Sequence, residues 1–287
     1  MVHFCNILMI QKWFCVKLGL ILHEKLLLSL VNIFCSYLQY KYKAKGRHGL
    51  HSPFVYEMMD RCFQQKLPSA YLEVREKYTA AIKNDQRVLS VVDAGAGSKY
   101  FDQERKVAQI YRISASKGKY SNLLYRLVAY YQPKNILELG TSLGSGTIAL
   151  AAGNKDAWVH TVEACPQTMA IAAEQFRQLN LQNIHCHAAK FADFLQSYTG
   201  EPFDFVFVDG HHDGDALKTY IDMLKAHTHD ETFFVLDDIR WSDGMKKAYD
   251  ELINSSDFHV SIDLFRVGIL LPRKTQVKEH FVLKLPR

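Results

Sequence analysis

Short β-rich runs alternate with helical stretches from residue 133 to the carboxyl end of the chain. The short runs predict seven strands, at 135–139, 157–163, 183–187, 203–208, 232–237, 257–264 and 267–271. The longer stretches predict helices near 145–152, 167–179, 190–197, 214–226 and 242–254. Strands joined by crossover helices predict an α/β fold with a Rossmann-like, doubly wound, mostly parallel sheet. The last two runs are separated by a short turn at Arg266, which predicts a closing antiparallel hairpin.

The residues before this region have a helical pattern instead. They predict helices over 54–63, 71–84, 102–111 and 119–131. Ser52 and Pro53 have the order of an N-cap followed by proline at the first helical position. We therefore expect two parts, an apolar and helical lead-in over 1–131 and a cofactor-binding domain over 132–287.

The first 40 residues are unusually apolar, yet they do not predict a membrane span. The longest uncharged run, 26–40, is shorter than the ~20 residues that a spanning helix needs. Read as a helix, this run has a narrow polar stripe at Ser29, Asn32, Ser36 and Gln39. We expect residues 26–47 to contact the protein's own domain, a second copy or a membrane surface. Residues 1–25 have weak periodicity, and we expect them to be dispensable for cofactor binding.

The net charge of +5 is concentrated at the amino end. Residues 1–50 carry seven bases and one acid, giving +6, and the remaining 28 bases and 29 acids give −1. A nearly neutral main body argues against a nucleic-acid partner. The six cysteines include no CxxC pair, which argues against a disulfide framework or a zinc site and favours a reducing, cytoplasmic location.

Two glycine clusters are candidates for a cofactor loop, at 91–97 and at 136–146. Only the second is followed by a helix and then by a strand that ends in an acid, Glu163, at a distance that suits a ribose. We expect the first cluster to be a turn. The second has the spacing G-x-x-x-G-x-G, and Glu138 stands two residues before its first glycine. That carboxylate disfavours a pyrophosphate and favours a cationic ligand such as S-adenosylmethionine.

Glu138-Leu139-Gly140-Thr141-Ser142-x-Gly144 with Glu163 resembles the first two motifs of class I S-adenosylmethionine-dependent methyltransferases. The Glu-x-Gly-Thr form is similar to the O-methyltransferase branch that includes the catechol type. The block Lys45–Phe54 further resembles a bacterial subgroup of that superfamily. The resemblance implies S-adenosylmethionine as cofactor, a small-molecule acceptor, and these cofactor-binding residues: Glu138, Gly140, Thr141, Ser142, Gly144, Gly146, Glu163, Ala189 and Asp209.

Acidic residues follow two further predicted strands, at Asp209 and at Asp237-Asp238. Ligands of open α/β sheets bind at the carboxyl ends of strands, so these side chains are expected to converge. The resemblance implies that all three hold a divalent metal such as Mg²⁺, which would activate an acceptor hydroxyl. Two departures from the family leave an alternative open. Asp238 replaces an asparagine, and His212 replaces a lysine, which is compatible with a metal-free enzyme that uses His212 as general base.

The sequence thus predicts a methyltransferase acting on a small molecule, with oxygen preferred over nitrogen as acceptor atom. The expected catalytic residues are Asp209, His212 and Asp237, and Ser114 and Ser116 are expected to help close the site. Two other classes stay open. One is an NAD- or nucleotide-binding oxidoreductase, and the other is a non-catalytic cofactor-binding protein attached to a membrane or partner through its amino-terminal helix.

Overall fold

The structure, a computed structural model, describes residues 33–91, 103–114 and 118–285. The chain divides into two units between Ala44 and Lys45. In the first unit residues 33–43 are helical, which confirms the carboxyl-terminal part of the predicted helix. Residues 1–32 and the first glycine cluster from residue 92 onward lie outside the described residues. Within the described ranges, no helix is both long and apolar enough to cross a membrane.

The second unit is an α/β structure. Its strands are β1 (Val88–Val91), β2 (Gln103–Lys106), β3 (Asn135–Leu139), β4 (Trp158–Glu163), β5 (Ile184–Ala188), β6 (Phe203–Val208), β7 (Thr228–Leu236), β8 (Val260–Asp263), β9 (Gly268–Leu271) and β10 (Glu279–Val282). Its α-helices are α1 (Pro53–Glu57), α2 (Ser69–Ile82), α3 (Val107–Ser114), α4 (Lys119–Tyr131), α5 (Ser145–Gly153), α6 (Pro166–Gln178), α7 (Phe191–Ser197), α8 (Gly214–Leu224) and α9 (Asp243–Asn254). A π-helical turn, Met58–Cys62, continues α1.

The main sheet has the strand order β10-β8-β9-β7-β6-β3-β4-β5. The five strands β3 to β7 pair with one another in parallel. Strand β9 is antiparallel to both β7 and β8. These pairings confirm the predicted fold and its closing hairpin. Gly268 pairs with Leu236 at the end of β7 and with Asp263 at the end of β8. The turn between β8 and β9 therefore lies at the sheet edge where the parallel strands end.

The sheet has one strand more than the seven that the sequence predicts. The additional strand, β10, pairs in parallel with β8 at the edge of the sheet. Its residues are exposed or only half-buried, so the sequence lacks the apolar run that marks the central strands.

Helices cover both faces of the sheet, and the alternation of side chains along β6 shows how. Phe205 and Phe207 pack on one face in a core shared with α1, α4 and α5. Val206 and Val208 point to the other face, in a core shared with α7, α8 and α9. A third cluster joins α2 and α3 to α5 and α6. The lead-in helices are thus part of the core of the second unit, and the division at residue 131 stays a prediction.

Two local predictions in the lead-in region have different outcomes. The Ser52 side chain accepts a hydrogen bond from the Val55 amide, and Pro53 opens α1, as predicted. The helix predicted over 102–111 is wrong in its first part. Residues Gln103–Lys106 form β2 and pair antiparallel with β1, and the helix begins only at Val107.

Candidate active site at the carboxyl ends of the strands

The glycine loop between β3 and α5 passes directly over the end of β6. Gly140 has φ 109° and Gly144 has φ 89°, in the region that side chains disfavour. A β-carbon at Gly140 would lie 2.2 Å from the carbonyl oxygen of Asp209. Only glycine allows this close approach, and Asp209 is consequently held beneath the loop. The second glycine cluster therefore has the strand–turn–helix geometry that the sequence predicts.

Glu138, predicted near the cofactor, has its carboxylate turned into the core. It is 1% exposed, and its Oε2 accepts hydrogen bonds from Thr147 Oγ1 at 2.5 Å and Thr161 Oγ1 at 2.6 Å. Thr141 Oγ1 lies 2.5 Å from Thr161 Oγ1, which extends the hydrogen-bond chain to the loop. Burial raises the pKa of Glu138 to about 7. The Glu138 carboxylate thus links β3 to α5 through Thr147 and to β4 and the loop through Thr161 and Thr141. It acts on a bound ligand by holding these residues in place.

Glu163, at the end of β4, holds the tip of the same loop. Its Oε2 accepts a hydrogen bond from the Ser142 amide at 2.9 Å, and its Oε1 accepts one from the Cys165 amide at 2.9 Å. Ser142 itself has φ 47°, so the loop bends sharply where the carboxylate holds it. The side chain is only half-buried. A carboxylate oxygen has two lone pairs and can accept more than one hydrogen bond.

Ala189, the predicted adenine contact, lies at the next strand end. Its amide donates to the Glu163 carbonyl at 3.1 Å, immediately after β5. Parallel pairing also places Ala188 opposite Glu163. The ends of β3, β4 and β5 therefore form one continuous edge, as expected for a cofactor site in an open α/β sheet.

The structure brings the three predicted carboxylates together at the ends of β6 and β7. Asp237 is almost fully buried, and Asp209 and Asp238 are half-buried. Burial and the negative charge of Asp237 raise the pKa of Asp209 well above its usual range. None of the three caps the helix that follows, because Asp213 caps α8 and Ser242 caps α9. Their convergence thus has no explanation in helix capping.

Arg266, to which the sequence assigned no role, forms ion pairs with two of these carboxylates. Arg266 donates from Nε to Asp237 Oδ1 at 2.9 Å and from Nη2 to Asp237 Oδ2 at 2.6 Å. The same guanidinium lies 3.0 Å from Asp238 Oδ1 and 3.5 Å from Asp238 Oδ2. Arg266 comes from the turn between β8 and β9. The signal that could have indicated it is the predicted hairpin, whose turn must lie at the carboxyl edge of the sheet.

The three carboxylates do not fit the divalent metal that the family resemblance implies. Both oxygens of Asp237 are engaged by the guanidinium of Arg266, which also lies 3.0 Å from Asp238 Oδ1. In the ranges that the structure describes, no group of three or more His, Cys, Asp or Glu side chains is arranged to hold a metal ion. The assignment of Asp209, Asp237 and Asp238 as metal ligands stays a prediction, and the pairing of Asp237 and Asp238 with Arg266 argues against it.

His212, the candidate base, lies beside this cluster on the loop after β6. It is half-buried, and its ring is 5.7 Å from the ring of Trp241, which is 66% exposed. The neighbouring His211 has φ 56° and contacts the Tyr220 hydroxyl through Nδ1 at 2.6 Å. The two histidines therefore differ in surroundings, since His211 has a side-chain partner on α8 whereas His212 faces an exposed aromatic ring. Ser114 ends α3, and Ser116 lies outside the described residues.

A group of three histidines, His160, His185 and His187, lies on β4 and β5. His160 Nδ1 lies 3.1 Å from His187 Nε2, and the His160 ring stacks on His185 with centroids 5.1 Å apart. Burial lowers the pKa of His160 to about 4, and the neighbouring histidines contribute. Stacked rings do not direct their nitrogens to one point. The group is therefore a packed, half-buried cluster rather than a metal site.

The site lies within a region that is similar to known proteins. Residues 137–239 match a family described as "Methyltransferase domain". A catechol O-methyltransferase of Niastella koreensis is 35% identical over 102 residues, which is 34% of this chain and 45% of that protein. The chain thus spans less than half the length of this curated relative.

Solved structures show the same fold. The S-adenosylhomocysteine-bound methyltransferase PaMTH1 of Podospora anserina has a TM-score of 0.53 at 16% identity, over 77% of this chain and 96% of that chain. The O-methyltransferase of Bacillus cereus, also solved with S-adenosylhomocysteine, has a TM-score of 0.50 at 20% identity, over 76% of this chain and 96% of that chain. At such identities the likeness concerns the fold. Residues 137–239 thus resemble a methyltransferase domain in sequence, and the chain shares the fold of solved methyltransferases.

Proposed function

We propose that the protein transfers the methyl group of S-adenosylmethionine to a hydroxyl of a small-molecule acceptor. The observation that carries this is the loop of Gly140 to Gly144, held at its tip by Glu163 and set against Asp209 at the end of β6. The methyltransferase family match and the O-methyltransferases of similar fold support the reaction class.

The loop and the neighbouring strand ends would hold the cofactor. Gly140, Thr141, Ser142, Gly144 and Gly146 form the turn on which its methionine part lies. Glu163 accepts hydrogen bonds from the ribose hydroxyls, and Ala189 contacts the adenine. Asp209, beneath the loop, borders both cofactor and acceptor.

The chemistry is an in-line displacement at the sulfonium methyl carbon. The acceptor oxygen forms the new C–O bond as the C–S bond breaks, its proton passes to His212, and S-adenosylhomocysteine leaves with the electron pair of the broken bond. Holding the two reactants in line supplies much of the rate enhancement, because it removes the entropy cost of their encounter. His212 suits the role of base because a neutral imidazole takes a proton near pH 7. Asp237, almost fully buried and paired with Arg266, acts as an anchor for that arginine.

Ligand binding tests the proposal before any acceptor is known. Calorimetric titration of the full chain is expected to show binding of S-adenosylhomocysteine and no binding of NAD. The melting temperature should rise with S-adenosylhomocysteine, because a ligand that binds only the folded state stabilises it. Binding of NAD in place of S-adenosylhomocysteine would contradict the proposal and favour an oxidoreductase. A screen of hydroxyl compounds with methyl-labelled cofactor then identifies the acceptor class.

A further inference from the structure

We infer that Arg266 is the fixed cation of the acceptor site, in the place of a divalent metal, and that it donates a hydrogen bond to the acceptor oxygen. This inference rests on the proposed function. It makes methyl transfer by this protein independent of metal ions, and it assigns an acceptor-binding role to a residue of the closing hairpin.

The first observation is the way in which the arginine is held. Its Nε and Nη2 engage both oxygens of Asp237, and the Asp238 oxygens lie 3.0 and 3.5 Å away. Such a bidentate pair fixes the plane of the guanidinium and not only its position. The backbone adds to this, because the Ile239 amide donates to the Arg266 carbonyl at 3.0 Å. The turn that carries the cation is thereby joined to the segment that follows the two aspartates.

The second observation is that one edge of the guanidinium remains available. The side chain is 31% exposed, and Nη1 donates no hydrogen bond within the described part of the chain. The Cζ atom of the group lies over the ring of Tyr120, 5.3 Å from the ring centroid. The pairing through Nε and Nη2 leaves the N–H groups of Nη1 for a ligand.

The third observation is the charge of the cluster. Asp237 and Asp238 are two carboxylates, and in their ionised form they would repel a hydroxyl acceptor that loses its proton. Arg266 offsets that repulsion, as a metal ion would. Because a guanidinium stays charged at every physiological pH, the offset requires no bound ion.

The test compares the metal responses of the wild-type chain and of Arg266→Gln, with Arg240→Gln as a matched control. Arg240 supports the same turn, because it pairs with Asp263 and donates to the Phe265 carbonyl, and within the described residues it forms no ion pair with Asp209, Asp237 or Asp238. Melting temperatures are measured with S-adenosylhomocysteine present, in chelator and in millimolar MnCl₂ or MgCl₂. The wild type and Arg240→Gln should show no metal response. Arg266→Gln should be less stable in chelator and should regain stability with Mn²⁺, because its carboxylates then lack a cation.

Arg266→Lys covers the case in which Arg266→Gln does not fold. Lysine keeps the charge but cannot hold both oxygens of Asp237 in one plane. This variant should fold, bind S-adenosylhomocysteine as the wild type does, and show no response to Mn²⁺. With an acceptor from the screen, its turnover should fall by about a hundredfold, the usual effect of losing one positioned donor.

Two results would overturn the inference. One is a wild-type chain that Mg²⁺ or Mn²⁺ stabilises, or whose turnover stops in chelator. The other is an Arg266→Lys variant with unchanged turnover. Failure of the proposed function looks different, since S-adenosylhomocysteine would then leave the wild-type melting temperature unchanged.

Discussion

A β-carbon at Gly146 would lie 2.4 Å from Oε1 of the buried Glu138. Glycine is thus required in the first turn of α5 because the Glu138 carboxylate, on the preceding strand β3, fills the space that a side chain would need. The loop that faces the ligand and the acid beneath it form one unit, and a change in either affects the other.

Gly146→Ala should therefore destabilise the protein by about 1–3 kcal/mol, the usual cost of forcing an extra methyl group into a packed interior. Chemical denaturation measures the change. Gly46→Ala is the matched control, since no atom lies within 4 Å of the site of its β-carbon, and its stability should change by less than about 0.5 kcal/mol. Equal effects of the two substitutions would contradict the close packing of Gly146 on Glu138.

Glu163→Ala should weaken binding of S-adenosylhomocysteine by about 1–3 kcal/mol, because ribose hydroxyls would lose their acceptor and the Ser142 amide would lose its partner. Calorimetry gives the affinity. Asp156→Ala, an exposed acid just before β4 at the opposite end of that strand, should bind as the wild type does. Unchanged affinity in Glu163→Ala would remove Glu163 from the ribose site.

Glu138 should make the protein less stable as the pH rises from about 4.5 to about 7. Its pKa is raised from 4.5 to about 7 in the folded state, so in this window the folded protein holds a proton that the unfolded chain has released. When the free energy of unfolding is measured against pH, the fall between pH 4.5 and about 7 should be smaller in Glu138→Gln than in the wild type. Glu73 is exposed, and Glu73→Gln should show the same fall as the wild type. A Glu138→Gln profile parallel to that of the wild type would show that Glu138 does not titrate in this range.

His160 should act in the opposite direction. Its pKa is lowered from 6.5 to about 4 on folding, so between these values the unfolded chain binds a proton that the folded protein does not. Stability should therefore fall as the pH drops from about 6.5 to about 4. In His160→Gln the free energy of unfolding should fall less between pH 6.5 and about 4 than in the wild type. His51→Gln, at an exposed position, should behave as the wild type does. An unchanged fall in His160→Gln would exclude the histidine as its source.

His212→Gln should lower turnover by about 10²- to 10⁴-fold, the usual contribution of a general base, and leave S-adenosylhomocysteine affinity unchanged. His211→Gln is the control variant, because the His211 ring already has a hydrogen-bond partner in the Tyr220 hydroxyl and should contribute less to turnover. The measurement uses the acceptor from the screen and follows turnover against pH. If His211→Gln loses more activity than His212→Gln, the assignment of the base is wrong.

Local patterns determined the strands β3 to β9, the crossover helices and the glycine loop, because alternation and backbone preference act within a few residues. They also placed Glu163 and the acids after β6 and β7 at one edge, since parallel strands end together. The edge strand β10 and the strand β2 escaped this reasoning. The side chains of β2 are all polar, and β10 has two polar, exposed residues followed by two half-buried apolar ones, so only pairing with a neighbour marks them as strands.

Tertiary structure alone decided which side chains meet. Arg266 is 29 residues from Asp237 in the chain, and their ion pair depends on β9 lying beside β7. The inward turn of Glu138 depends on threonines from β4 and α5, and His160 meets His187 only because β4 and β5 are neighbours. Side-chain partners of this kind are set by strand order and packing, which no short stretch of sequence encodes. The chain itself therefore indicated a methyltransferase domain, while the identity of the cation at its acid cluster came from the folded structure.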